Sequence, residues 1–291
     1  MTRNKSHYQH LKEKWINKHK KLQKKLWNKH KDALSFLSDS SKQLALGSVG
    51  GLMLLTSPVG ANISSQQTIN TQTIVQNVDK SVFLISDLSH VLPDKVRPLT
   101  FSEEDVIAQT LSRHFGMRVT PVLQDKRLNR SYGLIGAEQH LARFPGDNMN
   151  IHFDNNTDAQ KYWSSGMAPG LGGWGYFVKS QSEFSEKDKM REKYYIAVQT
   201  FLSEDFNKRV KEYMDFYKYR KMLVVNPNNG KAIVTDIADS GPSVWTGKHL
   251  GGSPEVMNYL ERFDGAQKGP VLYLFIDDPD DKILLGPINV Q

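Results

Sequence analysis

Cysteine is absent from this chain of 291 residues, and its absence removes whole classes of chemistry. Without thiols there is no disulfide framework, no thiolate metal site and no cysteine nucleophile. Long apolar runs are also missing, because no uncharged apolar stretch reaches the roughly 18 residues of a convincing membrane-spanning helix. Charged side chains make up 24% and aromatic side chains 10% of the chain, a composition typical of a folded protein rather than a disordered one.

Positive charge is concentrated at one end of the chain. The net charge is +7, but residues 1–42 hold 12 Lys or Arg and only three acids. The other 249 residues hold 26 basic and 28 acidic residues, so their net charge is −2. The basic excess therefore belongs to a leader, which argues against nucleic-acid binding by the folded part.

The leader has the parts of an export signal. Residues 43–78 carry no charged side chain, and residues 44–55 form a short apolar segment that is followed by the small-residue pair Val59 and Ala61. A basic region, an apolar core and a small-x-small end are typical of a secretory signal. We therefore predict that residues 1–61 are a basic amphipathic helix plus a signal peptide or signal anchor. The protein is then exported, to the cell envelope or the outside of the cell.

Two similar units of 11 residues repeat within residues 11–32 of the leader and place Trp and Leu on one helical face. A Lys-rich helix with such a face suits an anionic membrane surface, to which each basic residue contributes about 1 kcal/mol. We therefore expect residues 1–42 to contact such a surface. Residues 62–78, rich in Gln, Asn, Ser and Thr, are predicted to be a polar tether.

A central α/β region of unknown family is predicted over residues 79–190. Ser102 and the acids after it favour the start of a helix, and Gly116 favours its end. Residues 132–147 are predicted to form a short helix followed by a Pro-Gly-Asp turn.

Four residues of metal-binding types lie close together in the sequence of this region: Glu138, His140, His152 and Asp154. Spacing of this kind arises often by chance. We therefore predict neither a metal nor another cofactor.

A glycine-rich loop at residues 170–175 formally matches G-x-G-x-x-G. No strand is expected before it and no helix after it, so the context of a dinucleotide site is missing. Trp163 and Trp174 belong to this loop region. They would either stack on a sugar ring or fasten the loop to the core.

From residue 191 the pattern becomes rich in β-structure. The expected elements, in chain order, are a strand over 194–202, a helix over 206–217, a hairpin of strands 221–225 and 231–237, a helix over 253–260 and a strand over 271–276. Asn229-Gly230 supplies the residues that a tight hairpin turn requires. Pro254 stands at the first position of the last helix, where proline is favoured.

This order of elements resembles the double-psi β-barrel of the rare lipoprotein A-like lytic transglycosylases, with expansin-like proteins as more distant relatives. The resemblance covers about 80 residues and depends most on Asn229-Gly230 and on the D-x-G-P motif, in which Asp239, Gly241 and Pro242 are the matching residues. It implies an α+β protein with a six-stranded double-psi β-barrel in its C-terminal half, over residues 191–291, preceded by the leader and a mixed helical central region.

The resemblance also implies a function on cell-envelope glycan. In the family, the aspartate of D-x-G-P lies in the sugar groove as the candidate general acid/base, which corresponds to Asp239 here. We expect the groove to be lined by Trp245, His249, Trp174, Gly241 and Pro242, with peptidoglycan or another envelope glycan as the partner.

Three uses of such a barrel stay open. The first is lytic transglycosylase-like cleavage, for which one carboxyl group suffices. The second is a non-catalytic wall-binding or expansin-like module, and the third is a membrane-tethered interaction scaffold. Asp239 also has a purely structural interpretation, because an Asp before Gly-Pro commonly caps a turn.

Overall fold

A computed structural model describes residues 79–262 and 269–291. The predicted leader, signal segment and tether lie outside the described residues. No helix within the two described ranges is long and apolar enough to cross a membrane.

Helices and strands are mixed along the described chain. The α-helices are α1 (Ser81–Val91), α2 (Phe101–Phe115), α3 (Met149–His152), α4 (Asn156–Tyr162), α5 (Glu186–Lys193), α6 (Val210–Tyr217) and α7 (Pro254–Tyr259). The strands are β1 (Val119–Thr120), β2 (Val122–Leu123), β3 (Lys126–Arg127), β4 (Tyr132–Ala137), β5 (Tyr195–Val198), β6 (Lys221–Val225), β7 (Ala232–Ser240), β8 (Leu250–Gly252), β9 (Gly269–Ile276) and β10 (Gly286–Ile288).

Six of these strands close into a β-barrel. Around the barrel the order is β9, β4, β8, β5, β7 and β6, and β6 returns to β9. The β4–β8 and β5–β7 pairs are parallel, and the other four pairs are antiparallel. This arrangement confirms the prediction of an α+β protein with a six-stranded barrel in its C-terminal half. The mixed strand directions are compatible with the double-psi fold.

The predicted hairpin is confirmed as β6 and β7. Leu223 of β6 faces Val234 of β7 in an antiparallel register. In the connecting turn, Asn226 and Asn229 each accept a hydrogen bond at Oδ1 from the backbone N–H two residues later, both at 3.0 Å. Gly230 has a φ of 71°, the left-handed conformation for which glycine is favoured.

Residues 132–137 form strand β4, so the prediction of a short helix there was wrong. The strand pairs with β9 on one side and β8 on the other, and these pairings satisfy its backbone groups. Gly133 and Gly136 permit the approach of neighbours, because an added Cβ at Gly133 would lie 2.8 Å from the Cβ of His249. The barrel thus takes one strand from within residues 79–190, the range that was predicted as a separate central region.

Several predicted elements begin or end differently from expectation. The helix predicted over 206–217 is a 3₁₀ turn at Phe206–Lys208 followed by α6, and the strand predicted over 271–276 begins at Gly269. Helix α2 begins after Thr100, whose Oγ1 accepts a hydrogen bond from the Glu103 N–H while Glu103 caps the Thr100 N–H in return. Its end at Gly116 is confirmed. The strand expected over 194–202 stops at Val198, where a 3₁₀ turn at Thr200–Leu202 follows.

The barrel wall separates two apolar cores. Met222 and Val224 of β6 point into the barrel interior, whereas Leu223 and Val225 pack in the layer that contains α1 and α2. Alternate residues of a strand face opposite sides, so a strand between two cores is apolar at nearly every position. This explains the continuous apolar run of β6.

One carboxyl group of β7 is buried without a hydrogen-bond partner among the described residues. Asp236 is 1% exposed, neither side-chain oxygen has a hydrogen-bond partner among the described residues, and the Nε of Arg191 lies 3.7 Å from Oδ2. Burial outweighs the nearby arginine and raises the pKa of Asp236 well above its usual value of 3.8.

We expect Asp236→Asn to stabilise the protein at neutral pH. The raised pKa means that the folded state binds this proton more tightly, so wild-type stability falls as the pH rises from about 3.8 towards the folded-state pKa. The stability of the variant should lack this decrease with pH. At pH 7 its Tm should be higher by about 2 °C or more, which is the shift per kcal/mol for a domain of this size. Thermal unfolding between pH 4 and pH 8 measures the effect, with the exposed Asp215→Asn on α6 as control. A decline with pH that is identical in wild type and Asp236→Asn would contradict the prediction.

Candidate functional site

Asp239 lies near the C-terminal end of β7, and one of its carboxylate oxygens is held by the backbone. Its Oδ1 accepts hydrogen bonds from the N–H of Gly173 at 2.5 Å and of Ser240 at 2.7 Å. Within the part of the chain that the structure describes, Oδ2 accepts none. Burial raises the pKa of Asp239 above its usual value, although the two N–H donors act in the opposite direction. The group is half-buried.

The glycine-rich loop passes directly over this end of β7. A Cβ added to Gly173 would lie 2.9 Å from the Ser240 nitrogen and 3.1 Å from the Asp239 Oδ1, and one added to Gly172 would lie 3.2 Å from the Ala238 carbonyl oxygen. The glycines therefore serve the close approach of two backbone segments. Residues 176–180, directly after the loop, form neither helix nor strand, and the next helical turn is the 3₁₀ helix at Gln181–Glu183.

We expect Gly173→Ala to destabilise the protein and Gly170→Ala to be nearly neutral. The first substitution forces a methyl group against the end of β7 and strains the hydrogen bond to Asp239, so it should cost about 1–3 kcal/mol. At Gly170, an added Cβ meets nothing within 4 Å. Urea unfolding of both variants measures the difference. Equal urea midpoints for the two variants would show that stability does not depend on the close contact between the loop and β7.

The tryptophans predicted to contact sugar have different environments. Trp174 donates its indole N–H to the Ile237 carbonyl oxygen at 2.9 Å and packs against the barrel core, so it fastens the loop. Trp245 stands on a 3₁₀ turn at Val244–Thr246 and is 87% exposed. Trp163, on a 3₁₀ turn at Trp163–Ser165, is 47% exposed. Trp245 thus presents the broadest aromatic face of the three to solvent.

The other predicted groove residues are held by neighbouring strands. The Gly241 N–H donates to the Val198 carbonyl at 3.0 Å, and Gln199 Nε2 donates to the carbonyls of Pro242 and Lys248 at 3.0 and 3.2 Å. His249 Nδ1 accepts a hydrogen bond from the Leu134 N–H of β4 at 2.8 Å. Gly241 and Pro242 thus continue the turn after Asp239, and His249 extends the pairing between β4 and the segment before β8.

A cleft of about 440 Å³ opens beside the end of β4 and is lined by Glu138, Gln139, Tyr162 and Pro254, among other residues. Glu138 is paired with Lys248, whose Nζ lies 2.7 Å from Oε1. The cleft lies beside β4 and α7, and none of the residues that line it belongs to β7 or to the D-x-G-P motif.

A second cluster of polar side chains is buried where the segment after β4, helix α3 and helix α5 meet. His140 Nδ1 lies 3.3 Å from Glu192 Oε1, and His152 Nε2 lies 3.2 Å from Glu192 Oε2. The centroids of the two imidazole rings are 4.5 Å apart. One ligand-type atom from each of the three residues lies within 4.8 Å of those from the other two. All three side chains are buried.

His152 is also oriented from its other side. Its Nδ1 lies 3.6 Å from Asp147 Oδ2, and Asp147 is held by the Arg143 guanidinium, with Nε 2.7 Å from Oδ2 and Nη2 2.9 Å from Oδ1. Burial lowers the pKa of His152, but the carboxylates of Asp147 and Glu192 on either side of the ring outweigh burial and raise it to about 9. Burial raises the pKa of Glu192, but its two histidine partners bring it down to about 2. The cluster therefore concentrates charge in the interior.

No protein-family model, curated protein or solved structure matches this chain. The barrel assignment therefore depends on strand order and pairing, and the function depends on the sites themselves.

The buried cluster differs from the set of metal-binding types noted in the sequence. His140 and His152 do come together, whereas Glu138 pairs with Lys248 and Asp154 is exposed and pairs with Lys189. Glu192 was missed, because it lies 52 residues from His140 in a helix whose acids and bases look like a solvated surface. Its position near the end of that helix carries no local signal for burial.

Proposed function

We propose that this protein acts on peptidoglycan or a related glycan of the cell envelope as a lytic transglycosylase-like enzyme, with Asp239 as its general acid/base. The observation that carries the proposal is the state of Asp239. It is a half-buried carboxyl group with a raised pKa, at the end of a barrel strand, with one oxygen held and the other available.

One carboxyl group suffices for the chemistry. The protonated Asp239 donates its proton to the glycosidic oxygen as the bond to the anomeric carbon breaks. The carboxylate then accepts a proton from a hydroxyl group of the same sugar, whose oxygen bonds to the anomeric carbon and forms an anhydro end. The acid must be protonated near neutral pH, and burial supports this by raising its pKa. The N–H groups of Gly173 and Ser240 orient the group through Oδ1.

The surface around Asp239 supports a sugar-binding role. Trp245 follows the motif by six residues and is exposed, and an indole face packs well against the apolar face of a sugar ring. Gly241, Pro242 and His249 would line the same side of the barrel, with Trp174 holding the loop above it. In this proposal residues 1–42 hold the exported protein at an anionic membrane surface, and the folded part binds no nucleic acid.

A non-catalytic wall-binding module is the second candidate. Its supporting observation is that both hydrogen bonds to Asp239 Oδ1 fix the local backbone, which is what a turn-capping carboxylate does. In that case the exposed Trp245 would bind glycan without cleavage.

Incubation of the full-length protein with purified peptidoglycan tests the proposal. Mass spectrometry of the products should show anhydro-muropeptides. Reducing ends instead would show hydrolysis by water and would require a second carboxylate, for which Asp236 of β7 and Glu138, the residue after β4, are the candidates. Sedimentation with the glycan without cleavage would favour the binding module. Neither cleavage nor binding would contradict both candidates and favour a scaffold.

A further inference from the structure

We propose that this protein binds one divalent transition-metal ion of the zinc type through His140, His152 and Glu192. The site is separate from Asp239, and it does not depend on the proposed activity towards glycan.

The distances within the cluster fit ligands better than hydrogen-bonded ion pairs. Ligands at about 2.0–2.2 Å from a tetrahedral zinc ion lie about 3.3–3.6 Å from one another. The two nitrogen-to-oxygen distances at Glu192 are 3.3 and 3.2 Å. Charge-assisted hydrogen bonds between such groups are shorter, about 2.7–2.9 Å. Each imidazole faces a different oxygen of Glu192, and the ligand-type atoms of the three residues lie within 4.8 Å of one another. Small rotations of these side chains would bring the three atoms onto one ion.

The surroundings of His152 match those of a metal-bound histidine. Metal-ligating histidines commonly donate the other ring N–H to a carboxylate, which sets the ring orientation. Here Nε2 faces Glu192, and Asp147 Oδ2 lies on the Nδ1 side of the ring at 3.6 Å, which is longer than a hydrogen bond. Asp147 is in turn held by Arg143 through two side-chain hydrogen bonds. Arg143 thus orients Asp147, and Asp147 in turn faces His152.

Burial supplies an independent observation. His140, His152 and Glu192 are 0%, 6% and 3% exposed. Glu192 accepts one further hydrogen bond at Oε1, from the Leu141 N–H at 3.0 Å. Three titratable side chains buried together are costly in a core unless their burial is offset. Coordination of an ion by this cluster would give the buried polar set a favourable use.

Two histidines and one glutamate are a donor set that zinc uses in proteins, with the fourth position left to water. The ion would join the segment after β4, helix α3 and helix α5. Since these segments are far apart in the sequence, binding should stabilise the fold.

The test is metal binding by the full-length protein after removal of metal with a chelator. Titration with Co²⁺ should produce visible absorption of a tetrahedral complex, and Zn²⁺ should displace it. Elemental analysis should give one site that is lost on substitution within the cluster. Zn²⁺ at 100 times its Kd should raise Tm by about 5–10 °C.

Variants locate the ion, because His7, His10, His19 and His30 of the leader can also bind metal. Glu192→Gln should weaken binding by at least about 100-fold and remove the Tm rise, and Asp147→Asn should weaken it by about 10- to 100-fold. His114→Gln is the matched control, since His114 forms a histidine–carboxylate pair with Asp87 at 2.8 Å outside the cluster. It should bind like the wild type.

Binding that is unchanged in folded Glu192→Gln and Asp147→Asn would place the ion elsewhere and overturn the proposal. Absence of Co²⁺ and Zn²⁺ binding by the wild type would overturn it directly, whether or not any variant folds. Glycan cleavage is not a readout here, so failure of the metal proposal leaves the proposal for Asp239 unaffected.

Discussion

Asparagine in place of Asp239 is expected to leave the barrel folded and to lower glycan cleavage by about 10²- to 10⁴-fold. The asparagine side-chain oxygen can still accept the hydrogen bonds from Gly173 and Ser240, so the loop and the end of β7 keep their anchor. An amide, however, cannot donate a proton to the glycosidic oxygen and recover one. Alanine would be a poorer test, because loss of the cap could cost about 1 kcal/mol by itself.

The measurement is the release of anhydro-muropeptides by wild type and by Asp239→Asn, with urea unfolding to compare their stability. Asp277→Asn is the matched control, since it makes the same substitution at another half-buried carboxylate, directly after β9. Wild-type cleavage should also fall as the pH rises through the raised pKa of Asp239, because the acid must be protonated to act. Equal cleavage by wild type and Asp239→Asn would show that this carboxyl group carries no proton in the reaction.

Methionine in place of Arg143 is expected to destabilise the fold by about 3–5 kcal/mol, the largest stability effect predicted here. The guanidinium binds both oxygens of Asp147 and donates to the carbonyls of Ile151 and His152 at 3.1 and 2.9 Å. The side chains of Arg143 and Asp147 are 5% and 0% exposed. Methionine fills part of the volume but leaves the Asp147 carboxylate buried without its main partner.

Arg209→Met is the matched control for this prediction. Arg209 also pairs with a carboxylate, that of Glu212, but the two side chains are 49% and 46% exposed. Exposed pairs contribute about 0–1 kcal/mol, so this substitution should change stability little. Urea unfolding at pH 7 compares the two variants. Similar losses in both would mean that the buried pair is no more important than a surface pair.

The sequence by itself determined the elements whose signals are local. Asn229-Gly230 fixed the position of the hairpin turn, and Pro254 after a capping serine marked the start of α7, because these residues act on backbone groups only a few positions away. The charge difference between residues 1–42 and the rest likewise follows from composition alone. Strand β4 could not be predicted from local signals, because its two glycines suit a strand only when neighbouring segments approach closely.

Only the tertiary structure decided how the sites are assembled. The hydrogen bond from Gly173 to Asp239 spans 66 residues, and the contact between His140 and Glu192 spans 52. Closure of the barrel places the glycine-rich loop against β7, and the packing of α5 places Glu192 beside His140 and His152. Neither pairing has a periodic or local signal, because each depends on which strands and helices become neighbours. The burial that raises the pKa of Asp239 and the histidine contacts that lower the pKa of Glu192 both arise from that same packing.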